Sequence, residues 1–214
     1  MKIAIIGVGN VGGTLGSSWA RKGHAVCFGT RNPSEEKVKK LLSDAGGNAR
    51  AASVAEAAKD ASVVLLATPW EGARNAIQSV GSLDGKILID ATNPLLMTAE
   101  GLQKGLVLGH TTSAGEQVAA WATGARVVKA FNTTSWKNMA DPKFGSQRAS
   151  MFVCGDDLGA KATVLTLTEE LGFEAVDCGP LFAARYLEPL GMLWIHLCFG
   201  VGRGPDFAFK IIER

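Results

Sequence analysis

The segment Lys2-Ile-Ala-Ile-Ile6 followed by Gly7-Val-Gly9-Asn-Val-Gly12 restricts the fold more than any other stretch of the chain. An isoleucine-rich run too short for a helix is cut off by glycines spaced G-x-G-x-x-G, and a small-residue helical pattern continues from Val11 to Lys22. Strand, turn and helix in that order are the context in which such glycines form a dinucleotide-binding turn. Gly7 suits the tight turn, Gly9 lets a pyrophosphate approach the backbone, and Gly12 allows the helix to pack close to the strand. A pyrophosphate would then rest on free N–H groups at the positive end of the first helix.

The second strand discriminates between dinucleotides. Enzymes that use NAD place an acid about 20 residues on, where it accepts hydrogen bonds from the ribose 2′-hydroxyl. Here the first acid is Glu35, and the apolar strand Ala25 to Gly29 runs instead into Thr30-Arg31-Asn32-Pro33. A guanidinium offers forked donors to a phosphate and a hydroxyl adds another, whereas a carboxylate would repel it. Thr30, Arg31 and Asn32 therefore point to NADP(H).

With 214 residues, 47% hydrophobic content and a formal charge of +2, the chain reads as an ordinary globular protein with one substantial core. It has no basic run or interleaved aromatics to suggest nucleic acid. A chain that opens inside the fingerprint leaves no room for a leader, so a reducing cytoplasm is expected, with Cys27, Cys154, Cys178 and Cys198 as free thiols. The apolar stretch from Leu181 to Val201 is interrupted by Arg185, Glu188, Pro189 and His196, which favours a buried or interface helix over a membrane span.

Three further apolar strands end in polar or proline-bearing tips: Thr68-Pro69-Trp70, Asn93-Pro94 after Lys86 to Asp90, and Asn132-Thr133 after Arg126 to Phe131. In a doubly wound sheet such tips converge near the nicotinamide, which adds Thr68, Pro69, Trp70, Asn93, Pro94 and Asn132 to the cofactor-binding candidates. Ser53-Val-Ala-Glu56 has the form of a capping box, Pro142 to Ser150 reads as a loop, and Glu116 to Ala122 as a helix. The expected architecture is α/β, a Rossmann-type, doubly wound, mainly parallel sheet with a small C-terminal helical extension. Residues 1–145 would form the NADP-binding domain and residues 146–214 a smaller C-terminal α/β lobe packed on it.

Taken together, the opening fingerprint, Gly23-His24, Thr30-Arg31, Thr68-Pro69-Trp70-Glu71, Val153-Cys-Gly-Asp-Asp157, Asp177-Cys-Gly-Pro180, and Arg185 with Glu188 carry a resemblance over nearly the whole chain. The sequence resembles the NADPH-dependent coenzyme F420 reductase family, itself similar to the reductase domain of the STEAP metalloreductases. The resemblance implies hydride exchange between NADPH and a deazaflavin or flavin ring, on a Rossmann domain with a small C-terminal lobe, commonly in a homodimer. It places Gly7, Gly9, Asn10, Val11, Thr30 and Arg31 on NADP(H), with Pro69 and Trp70 beside it.

Hydride transfer to a flavin-like ring needs no side-chain nucleophile, which agrees with a sequence lacking a recognisable catalytic triad, metal motif or paired carboxylates. Carbonyl or imine reduction, as in β-hydroxyacid dehydrogenases or pyrroline-carboxylate reductases, would call for a proton donor. His110 and Lys129 are the candidates, although Lys129 lies within a strand and reads more naturally as an ion-pair or snorkelling side chain, and His110 as a helix cap. A non-catalytic NADPH sensor is a third reading. The partners expected are thus a small-molecule acceptor and a second copy of the chain, and Leu190 to Ile195 suits either subunit contact or core packing.

Overall fold

The computed structural model describes residues 1–98 and 101–214, with the backbone alone for residues 101–104. Strand β1 (Lys2–Ile6) turns into helix α1 (Asn10–Arg21). The alternation continues through β2 (Ala25–Gly29), α2 (Glu36–Ala45), β3 (Ala49–Ala52), α3 (Val54–Lys59), β4 (Val63–Leu66), α4 (Trp70–Val80) and β5 (Ile87–Asp90). A hairpin of β6 (Leu95–Thr98) and β7 (Gly101–Leu106) precedes α5 (Ala114–Trp121), β8 (Arg126–Lys129) and α6 (Trp136–Ala140). A second, very short hairpin, β9 (Lys143–Phe144) and β10 (Gln147–Arg148), leads to β11 (Ser150–Gly155), α7 (Leu158–Glu170) and β12 (Glu174–Asp177). A 3-10 turn at Leu181–Ala183 opens α8 (Ala184–Ile195), which runs into a π-helical turn at His196–Gly200.

One eight-stranded sheet, in the order β3-β2-β1-β4-β5-β8-β11-β12, forms the frame. Every neighbouring pair is parallel except β8 and β11, which meet antiparallel through Cys154 opposite Lys129. The Rossmann-type α/β expectation holds, and β11 and β12 extend the same sheet past residue 145. The order reverses direction between β1 and β4, the switch point at whose carboxyl edge ligands bind in open α/β sheets.

Consecutive strand residues face opposite sides, and both sides are covered. Ile3, Ile5, Leu65, Ile89, Val128 and Met151 pack with Leu15, Trp19 and Leu167 on one face; Ala4, Ile6, Val64, Leu66, Leu88 and Val127 pack with Ile77, Val118 and Leu187 on the other. This explains strands that read as unbroken apolar runs. Each fully buried Leu or Ile contributes about 1.5–3 kcal/mol relative to exposure. The Trp19 indole N–H donates to Leu167 O at 3.1 Å, tying α1 to α7 within the core.

Sequence signals set most boundaries. Ser53 and Glu56 form a complete capping box on α3, and Asp157 caps α7 by accepting from Ala160 N at 2.7 Å. Helix α5 starts two residues before the expected Glu116, because Ser113 Oγ accepts from Glu116 N and so becomes the cap. Residues 142–150, expected as loop, hold the β9–β10 hairpin. Among the described residues no helix is long and apolar enough to cross a membrane, and no three His, Cys, Asp or Glu side chains are placed to hold a metal ion. Phe131, just past β8, has φ of 61° although it is fully buried.

Candidate cofactor and acceptor site

A cleft of about 490 Å³ opens at the carboxyl edge of the sheet, beside the switch point. Gly9, Asn10 and Val11 line one end, and Ala67 to Glu71 together with Ala91, Thr92 and Asn93 form the walls. Leu95, Met97 and Trp136 close the far side.

The three fingerprint glycines have different physical reasons. At Gly7, whose φ is 109°, a Cβ would fall 2.5 Å from Ala67 O; at Gly12 it would fall 1.9 Å from Gly7 O. Both positions are dictated by the protein's own packing. A Cβ at Gly9 would meet no protein atom within 4 Å. Open space on that side, at the start of α1 where backbone N–H groups are free, is what a pyrophosphate would use. The Thr68 hydroxyl lies buried with no hydrogen-bond partner among the described residues, and Thr68 lines the cleft. Such an orphaned group is uncommon in a finished core and fits a site completed by a ligand. The residues present therefore suit a dinucleotide.

Thr30, Arg31 and Asn32 lie outside the cleft lining, at the carboxyl end of β2. That strand is paired to β1 with Gly29 beside Ile6, so these residues and the fingerprint share one sheet edge. Arg31 is exposed and, among the described residues, has no ion pair or hydrogen-bond partner. Thr30 Oγ1 accepts from Asn32 N at 3.3 Å, which folds the loop.

The expected tips separate into two groups. Thr68, Pro69, Trp70 and Asn93 line the cleft, whereas Pro94 and Asn132 do not. Asn132 is spent on structure: its Nδ2 donates to Asn93 Oδ1 at 3.0 Å and to Leu187 O at 3.0 Å, and its carbonyl accepts from Asn93 Nδ2 at 2.8 Å. His110 sits exposed in the loop before α5 at φ of 57°, away from the cleft. Trp70 stacks on Trp121 with ring centroids 5.2 Å apart, and the Arg74 guanidinium lies 5.8 Å from the Trp121 ring centre.

Beneath the cleft floor is a buried charge cluster. Lys129 Nζ donates to Asp90 Oδ2 at 2.9 Å and Thr92 O at 2.6 Å, and pairs with Glu188 Oε1 at 2.9 Å. All three donors are used, and the three charged side chains are at most 1% exposed. Burial pulls the Lys129 ammonium down, but the carboxylates of Asp90 and Glu188 outweigh it and leave its pKa above the ordinary lysine value. Glu188 also accepts from Ala114 N and Gly115 N at 2.9 and 3.0 Å, at the positive end of α5. One turn away, Arg185 grips Glu116 through two hydrogen bonds of 2.8 and 2.6 Å. That contact, together with the hydroxyl of Ser113, holds the Glu116 carboxyl below the ordinary glutamate range despite partial burial.

The sequence left Lys129 between an ion pair and a snorkelling role and could not show its partners, which come from a neighbouring strand, the loop after it and a distant helix. Nor did it find Met97 and Trp136, which lie in a hairpin and a one-turn helix without strong periodic signals.

Fold and cleft together define a dinucleotide-dependent oxidoreductase of the Rossmann class. Residues 2–94 match the family described as "NADP oxidoreductase coenzyme F420-dependent". The F420-dependent NADP reductase of Methanothermobacter marburgensis is 31% identical over 207 residues, covering 92% of each chain. The crystal structure of a provisionally assigned F420-dependent NADP reductase from Arthrobacter sp. FB24 superposes with a TM-score of 0.90 at 36% identity, covering both chains completely. Rat metalloreductase STEAP3 is 32% identical over 195 residues; the alignment takes in 90% of this chain but 37% of that protein. The chain belongs to the F420-dependent NADP oxidoreductase family and is an NADP-dependent oxidoreductase.

Proposed function

We propose that the protein transfers a hydride between NADP(H) and a deazaflavin or flavin-like ring seated in the 490 Å³ cleft. The observation that carries this reading is the cleft's chemistry. Among the described residues lining it, Glu71 is the sole ionisable side chain, and the remainder are apolar, amide, hydroxyl or aromatic groups. Reduction of an imine or ketone calls for a proton donor close to the reacting carbon, whereas hydride transfer to a flavin-like ring can draw its proton from water.

NADP(H), when bound, supplies or accepts the hydride. The chain's own residues bind and orient. Gly7, Gly9, Asn10, Val11 and Gly12 would hold the pyrophosphate, Thr30, Arg31 and Asn32 the 2′-phosphate, and Thr68, Pro69, Trp70 and Asn93 the nicotinamide side. Trp70, Met97 and Trp136 offer a flat apolar surface for a planar acceptor and exclude water from it. Pro94 and Asn132 act one step back, by shaping the loop that carries Asn93.

The protein also functions as a homodimer on this reading. Phe182, Tyr186, Leu193 and Phe199, on and around α8, are 46–72% exposed and form the apolar surface for it.

The deciding experiment incubates protein and NADPH with coenzyme F420, FMN, riboflavin, ferric chelates or small cyclic imines, and follows the nicotinamide absorbance band. Turnover with a deazaflavin or flavin is expected. Turnover with imines alone would replace the proposal by imine reduction, and tight NADPH binding without turnover by a sensing role.

A further inference from the structure

The floor of the cleft is held by a helix that does not line it. Thr92 is fixed at every polar group. Its N–H and hydroxyl donate to Asp90 Oδ1 at 2.9 and 2.7 Å, and its carbonyl accepts from Lys129 Nζ at 2.6 Å. Asp90 and Lys129 are in turn held in place by Glu188 of α8, through the 2.9 Å ion pair with Lys129. The neighbouring cleft residue, Asn93, exchanges two hydrogen bonds with Asn132, which donates a third to Leu187 O, also in α8. Gly191, one turn further along that helix, lies so close to the amide pair that a Cβ there would fall 2.6 Å from Asn132 O and 3.0 Å from Asn93 Oδ1. Leu187, Glu188 and Gly191 occupy one face of α8 and reach Thr92 and Asn93 of the cleft wall through Lys129 and Asn132 or directly. Side chains held by hydrogen bonds from behind cannot rotate or shift without breaking them.

We propose that Glu188 and Gly191 are positioning residues of α8 that set the height and angle of Thr92 and Asn93 in the cleft, and thereby the approach of the two reacting rings. The proposal rests on hydride transfer in this cleft, but its first test does not depend on an acceptor. A misplacement of about 1 Å in such a wall is enough to slow a positioned reaction 100-fold.

The test compares wild type with Glu188→Gln and Gly191→Ala. Glutamine keeps a hydrogen-bonding head but removes the charge that pairs with Lys129; the added methyl of alanine pushes on the Asn93–Asn132 pair without altering any charge. Amide hydrogen exchange of residues 91–93 is expected to accelerate about tenfold or more in both variants, with exchange in β1 and β4 unchanged and the NADPH Kd within about threefold of wild type. With whichever acceptor turns over, kcat should fall about tenfold or more while the KM for NADPH stays put. Unchanged exchange at residues 91–93 in a folded variant overturns the proposal. Faster exchange with unchanged kcat would also overturn it, reducing the contact to stability alone. If no acceptor is found, the exchange result still decides whether α8 holds the wall, separately from the reading of the reaction.

Discussion

At the scale of single residues, the glycine turn offers a clean separation of packing from binding. Gly9→Ala meets no protein atom and Gly9 has φ of −77°, which alanine accepts, so the variant should keep the wild-type Tm while NADPH affinity falls about tenfold or more, as read by fluorescence titration. Gly7→Ala collides with Ala67 O at a left-handed backbone angle and should destabilise the fold by about 1–3 kcal/mol. Equal losses of Tm in the two variants would remove the ligand from the explanation of Gly9. Arg31 makes the matching case at the other end of the cofactor. A charge-assisted bond is worth about 1.5–3 kcal/mol, so Arg31→Ala should raise the KM for NADPH roughly 10- to 100-fold and leave kcat and NADH use nearly unchanged. An unaltered KM would take Arg31 out of the 2′-phosphate site. Lys129 is different in kind. Lys129→Met strands two carboxylates in the core, where loss of one partner of a buried ion pair costs about 3–5 kcal/mol. A Tm within a few degrees of wild type would show that the cluster bears little on stability.

At the scale of elements, α8 is fastened to α5 by two different contacts, the buried Glu188 carboxylate on the α5 N-terminus and the half-exposed Arg185–Glu116 fork. The fork has a pH signature. Because Glu116 titrates below its unfolded value, the stability it adds is fully present above the ordinary glutamate pKa, near 4.3, and is lost as pH falls through the lower folded value. Glu116→Gln should therefore lower Tm at neutral pH, by an amount that reflects about 1 kcal/mol for a partly exposed pair, and the gap from wild type should narrow as the pH falls below the ordinary glutamate pKa. A gap that does not narrow at all as the pH falls below the ordinary glutamate pKa would deny the ion pair that role.

Elements also show why some of the molecule could be read in advance and some could not. Strands β1, β2, β4, β5 and β8 are short apolar runs ended by glycine, proline or polar residues, and caps such as Ser53 and Asp157 announce their helices, so the alternation was visible residue by residue. The β6–β7 hairpin lacks a strong turn dipeptide and clear alternation. Helix α6 spans five residues, too few for a period to register. The antiparallel entry of β11 depends on the path of the preceding loop, which no local pattern records. The glycine turn and Arg31 belong to contiguous motifs and could be proposed from the sequence, whereas Asp90, Lys129 and Glu188 become neighbours only once three segments have folded together.

At the scale of the whole molecule, one eight-stranded sheet is the frame on which the fingerprint and the buried charge cluster are set. The fingerprint edge, the strand tips behind Thr68 and Thr92, and the C-terminal strands belong to that frame, while the β6–β7 hairpin that closes the cleft is a separate two-stranded sheet. The exposed apolar surface lies on and around α8. If that surface is where two copies meet, light scattering at micromolar concentration should give twice the 22.4 kDa chain mass, and Leu193→Glu with Phe199→Glu should give the monomer. A wild-type monomer over that range would leave the apolar surface without this role. Because the same helix carries Glu188 and Gly191, the dissociated variant should also show altered kcat.

The Phe131 backbone sits at φ of 61° while its ring meets Trp19 edge-on at 5.7 Å. An aromatic residue at a left-handed angle costs about 1–2 kcal/mol, and truncating a buried aromatic costs about 3–5 kcal/mol, so Phe131→Gly would ease the bend and still lose overall. The bend directs Asn132 toward Asn93 and α8, and its anchor lies among the packing residues on the opposite side of the sheet. Heat that loosens the indole of Trp19 would thus reach Asn93 in the cleft through Phe131 and the Asn132 amide, and the reaction would fade before the protein as a whole comes apart.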